Sequence, residues 1–64
     1  MKYAEMDNVE TGLHFKTPSG LEVETTGSTV LVEAHEIYVH EVTITDGTGK
    51  GETFLFNLDY GKAL

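Results

Sequence analysis

The sequence predicts an all-β domain, either a small five-stranded barrel or a strongly bent antiparallel sheet, with a short C-terminal helical turn. Three observations carry that expectation. First, the stretches 36–45 and 52–58 are rich in β-branched and aromatic residues. They flank Asp46-Gly47-Thr48-Gly49-Lys50-Gly51, as a β-hairpin with a long glycine-rich loop would. Second, Thr17-Pro18-Ser19-Gly20 has the residues of a type I turn, with proline setting φ at the second position and glycine closing the fourth. Third, the chain leaves that turn as Leu21-Glu22-Val23-Glu24-Thr25, the alternation of a half-buried strand.

Taken in order, Tyr3, Ala4 and Met6 suit a short strand or a single helical turn, and Asp7-Asn8 is a turn signal. Gly12–Thr17 is the first clear strand, with Leu13 and Phe15 on one face and His14 and Lys16 on the other. Gly27-Ser28 has the chemistry of a two-residue type II′ turn. A hairpin closed there pairs Thr26 with Thr29, Thr25 with Val30, Val23 with Val32 and Leu21 with Ala34. Their apolar side chains then share one face, and Glu22 lies directly opposite Glu33. Like charges so placed are destabilising by a fraction of a kcal/mol.

From Ser28 to Thr45 there is no Gly, Pro, Asn or Asp. Val30, Leu31, Ala34, Ile37, Tyr38 and Val42 recur near a helical period, but the many β-branched residues favour strands. The apolar parity changes twice along this stretch, so the strand reading needs a bend near His35-Glu36 and a bulge near His40-Glu41. Ile37, Val39, Val42 and Ile44 then face Phe54, Phe56 and Leu58 as the centre of the core. At the end of the chain, Asn57 or Asp59 caps a helical turn, with Leu58, Tyr60 and Leu64 plugging one end of the sheet.

Phe15-Lys16-Thr17-Pro18-Ser19-Gly20-Leu21-Glu22-Val23, with the strand order above, resembles the hairpins of small SH3-like barrels. The resemblance implies a barrel architecture and no particular function, because that fold hosts many.

The 64 residues are read as a single small β domain, 1–64. A chain of this size buries only about 60% of the surface its unfolded form exposes, so reinforcement by a partner or by homo-oligomerisation is expected. There is no cysteine, which removes disulfides and thiolate zinc sites. No apolar run approaches the roughly 18 residues of a membrane span, and no apolar leader is evident, which favours the cytoplasm. Eleven acidic residues stand against four basic ones, for a net charge of −7. Direct binding to nucleic acid or to an anionic membrane is therefore not expected. The acidity has four readings: ordinary solubility, adaptation to high salt, a face for a basic partner, or mimicry of nucleic acid.

Candidate chemistry is sparse. His35 and His40, with Glu33, Glu36 or Glu41, are ligand types for a divalent metal, but a spacing of five on a regular strand points the rings to opposite faces. Both histidines are expected at the surface, with no metal and no cofactor. Ser19 and Ser28 sit in turns whose glycines explain the local sequence, and no catalytic residues are assigned. The 46–51 loop lacks the spacing of a phosphate-binding loop and is followed by a strand.

What remains is a binding surface: Glu22, Glu24 and Glu33 as an acidic patch, Tyr38 and Leu55 as outward-facing apolar residues, and Asp46 and Lys50 in the mobile loop. The expected function is a non-enzymatic protein-interaction or regulatory module that binds a protein partner, most naturally a basic one, through an acidic sheet face. The alternative is an acidic nucleic-acid mimic of viral or mobile-element origin that blocks a DNA-binding host protein. An interaction module needs an apolar anchor inside an acidic rim; a mimic needs carboxylates spaced along one surface like phosphates.

Overall fold

Val, Ile and Thr make up about half of the two longest strands of a single sheet. The computed structural model describes residues 2–64. Five strands, β1 (His14–Lys16), β2 (Glu22–Val32), β3 (Ile37–Asp46), β4 (Thr53–Phe56) and β5 (Lys62–Ala63), are all antiparallel, in the order β4-β3-β2-β1-β5. The fold is thus all-β as expected, but the sheet is open: β4 and β5 are its outer strands and do not pair with each other. Two 3-10 turns, Tyr3–Glu5 and Leu58–Tyr60, lie on the core side.

The turn at Thr17–Gly20 forms as read, with the Gly20 N–H donating to the Thr17 carbonyl at 2.9 Å. Phe15 and Val23 pair across β1 and β2, and both are buried. With Val42, Ile44 and Leu58 they make the core, and Tyr3, Val9, Leu13, Leu21, Phe54 and Phe56 pack around it. The Tyr3 and Phe15 rings meet edge to face at 5.3 Å. Asn57 caps the C-terminal turn through its side-chain oxygen, which accepts from the Asp59 N–H. Only Leu58 plugs the sheet from there, since Tyr60 and Leu64 are exposed.

The Gly27-Ser28 hairpin does not form. β2 runs straight through it to Val32, and Val23 pairs with Ile44 while Val32 pairs with Ile37. The positive φ of Gly27 (95°) serves a bulge instead, in which Thr26, Gly27 and Ser28 stand opposite Glu41 alone. The physical reason is burial. Pairing β2 with β3 sets Val23 and Thr25 against Ile44 and Val42, all of them buried, which a hairpin folded back at Gly27 would forgo.

The chain reverses at residues 33–36, near the expected bend, where Glu36 takes a φ of 53°. That left-handed conformation costs a non-glycine residue about 1 kcal/mol. The bulge expected near His40-Glu41 is absent from β3, which pairs with β4 in regular register from His40 to Thr43. Consequently His40 shares the inward parity of Val42 and Ile44, and Ile37 and Val39 fall on the opposite face, outside the core.

Candidate functional site: the β2–β3 hairpin and its outer face

β2 and β3 are the longest strands, and their hairpin outreaches its neighbours. β1 flanks β2 only at Glu22–Glu24, and β4 flanks β3 only at His40–Thr43. Beyond that point, Val30–Val32 and Ile37–Val39 project as a two-stranded arm. Its cross-strand pairs are Val30 with Val39, Leu31 with Tyr38, and Val32 with Ile37. Alternation from the inward His40 puts Leu31 and Tyr38 on the core side of the arm, and Val30, Val32, Ile37 and Val39 on the outer side. Val30 is 43% and Leu31 46% exposed. Tyr38 does stand opposite in parity to Ile37 and Val39, but it is they, and not Tyr38, that face outward.

The predicted acidic patch is redistributed. Glu22 and Glu24 share the outer face, but Glu33 lies in the turn at the other end of β2, so the Glu22–Glu33 pair does not exist. The like-charged cross-strand neighbour of Glu22 is Asp46, beside the second bulge at Thr45. β1 places Lys16 next to Glu22 and His14 next to Glu24, with His14 Nε2 3.6 Å from Glu24 Oε1. Lys62 of β5 follows beside Lys16. The face over β1 is therefore mixed in sign, and the carboxylates form no continuous row. Asp46 and Lys50 are both exposed at the loop end, where Gly47, Gly49 and Gly51 all have positive φ. Leu55 projects outward as read, half exposed opposite Glu41.

Two things were missed from the sequence. One is the arm, signalled by Val30-Leu31-Val32, a run apolar on both faces. The other is His40, which is fully buried. Its Nε2 lies 3.2 Å from the Tyr3 carbonyl and its Nδ1 2.9 Å from Thr29 Oγ1. A carbonyl only accepts, so Nε2 carries a proton, and in the neutral ring Nδ1 accepts from the Thr29 hydroxyl. The inward parity of His40, Val42 and Ile44 was the signal available. His35 sits in the exposed 33–36 turn, so the two histidines are apart, and among the described residues no three His, Asp or Glu side chains converge on a metal-sized site.

The chain continues from His40 through Tyr3 to Asp59, whose carboxylate accepts from the Tyr3 N–H at 2.8 Å and the Ala4 N–H at 2.9 Å. Desolvation opposes the charge on Asp59. The N–H donors of Ala4 and Tyr3 favour it more, and its carboxyl titrates below the ordinary aspartate value. A depressed folded-state value contributes stability above the unfolded-state pKa of about 4, which is lost as pH falls through the folded value. Asp59→Asn is thus expected to melt below the wild type at neutral pH, with the gap closing in acid. Parallel melts across that pH range check it; a gap independent of pH would deny the carboxylate this role.

No helix of the structure is long and apolar enough to cross a membrane. No protein-family model, curated protein or solved structure matches the chain.

Proposed function

We propose that this chain is a non-enzymatic protein-interaction module that engages a protein partner through the acidic surface of its sheet, with the β2–β3 arm as the anchor. One observation carries the reading: Val30 and Leu31 stand nearly half exposed on an arm that, among the described residues, no other strand flanks. Apolar area placed this way in a small domain is what an interface uses. Acidic residues border it, with Glu33 and Glu36 in the terminal turn, and Glu24 and Glu41 towards the body of the sheet. That is an apolar anchor in an acidic rim, and it favours a module over a nucleic-acid mimic, whose phosphate-like row Lys16 and Lys62 would interrupt.

The test compares proteins captured by the wild-type chain, by Val30→Lys and by Glu22→Gln/Glu24→Gln, at low and at molar salt. Val30→Lys is expected to lose the partner while keeping the wild-type circular dichroism and melting temperature. The glutamine pair is expected to weaken capture at low salt only. Capture of DNA-binding proteins that resists Val30→Lys and is displaced by DNA would replace this reading with mimicry.

A further inference from the structure

We propose that the arm takes its partner by strand addition along the edge Ser28–Val32, and that the partner segment is extended, apolar at its centre and lysine- or arginine-bearing at its ends. This rests on the interaction-module reading and names its mode and its ligand chemistry. Up to Thr26 the edge of β2 is covered. β1 pairs with Glu22–Glu24, the Gly12 N–H donates to the Thr25 carbonyl, and the Thr11 hydroxyl donates to the Thr26 carbonyl. From Ser28 to Val32, β2 has β3 on one side and, among the described residues, no strand on the other. Alternate backbone N–H and C=O groups there point away from β3, which is the template a β-augmenting peptide uses.

Ser28-Thr29-Val30-Leu31-Val32 contains no lysine, proline or carboxylate, the usual devices that blunt an exposed edge. The matching edge of β3, at Ile37–Val39, is the poorer site. Its side chains are half-buried, and the Tyr3–Glu5 turn is tied to the adjoining His40. A strand added to β2 would set its alternate side chains beside Val30 and Val32 on the outer side and beside Leu31 on the other.

An unprotected edge also invites a second copy, and charge decides against it. Antiparallel self-pairing centred on Val30 places Glu33 of each copy opposite Gly27 of the other, towards the 10–13 segment that carries Glu10, and both copies bear a net charge of −7. The edge has Glu33 at one end and Glu10, whose carbonyl accepts from Thr25 Oγ1, near the other. Basic residues at both ends of a partner strand satisfy what a second copy would oppose.

The probe is the peptide acetyl-Lys-Lys-Val-Thr-Val-Ile-Val-Lys-Lys-amide, titrated into isotope-labelled protein and followed by amide chemical shifts. Shifts and slowed amide exchange are expected at Ser28–Val32. The same peptide with glutamate ends, and one N-methylated on alternate amides, are expected to bind at least about tenfold more weakly. Glu33→Gln should weaken the lysine peptide, and added salt should do the same. Failure of the lysine peptide to shift Ser28–Val32 overturns the proposal. So does equal binding of the N-methylated peptide, which would show side-chain docking without strand addition. Sedimentation as a dimer with Ser28–Val32 already protected would assign the edge to a second copy. In each of these cases, loss of the captured partner with Val30→Lys would still leave the interaction-module reading in place.

Discussion

Replacing His40 with alanine is expected to remove about 3 kcal/mol of folding stability, as large a loss as a core leucine truncation. Two terms add. The ring fills space at a fully buried position, and its removal leaves a cavity beside Val42. It also leaves the half-buried Tyr3 carbonyl and Thr29 hydroxyl without their partner, and a lost hydrogen bond of this kind costs about 1 kcal/mol. A domain of this length holds only about 3–10 kcal/mol in total, so the loss is about a third of its stability or more. His40→Leu restores much of the volume but not the hydrogen bonds, and is expected to recover only part of the loss. His35→Ala, in the exposed turn, should stay within about 0.5 kcal/mol of the wild type. Urea unfolding of the three variants at neutral pH checks the ordering; equal effects of His35→Ala and His40→Ala would show that the ring is not held as described.

Phe15→Ala is expected to cost about 3–5 kcal/mol and to leave the chain largely unfolded at room temperature. β1 has three residues, and Phe15 is its single buried one. The same residue pairs with Val23 on one side and with Ala63 on the other, so it joins the two-residue β5 to the rest of the sheet. Its ring also meets Tyr3 edge to face, in a contact worth about 1 kcal/mol beyond area. Truncation therefore loosens β1, β5 and the N-terminal turn together. Phe15→Leu keeps most of the apolar volume, and its protection against hydrogen exchange at Lys16 and Val23 should persist. A cooperative melt of Phe15→Ala near the wild-type temperature would mean that the core does not depend on this ring.

Local chemistry was legible wherever one residue's conformational preference sufficed. Proline and glycine at Thr17–Gly20 mark a reversal that no tertiary contact overrides, and the three glycines after Asp46 mark the β3–β4 loop. Asn57 announces its cap, and period-two alternation announces β1 and the first half of β2. All of these act within a few residues, where the chain's own geometry decides.

Pairing was decided at longer range. Gly27-Ser28 satisfies a type II′ turn and a bulge equally well, because both use the same positive φ. The choice fell to the burial gained when Val23 and Thr25 meet Ile44 and Val42. The true reversal carries no turn residue at all, and Glu36 is held in the left-handed region by the strands on either side. His40 likewise looked like a surface residue because titratable side chains usually are. Its partners, Thr29 and Tyr3, lie 11 and 37 residues away and meet it only once the sheet has formed. The all-β class, the turns and the caps were properties of the sequence. The register, the open sheet, the buried histidine and the projecting apolar arm were not, because each depends on which distant residues exclude water together.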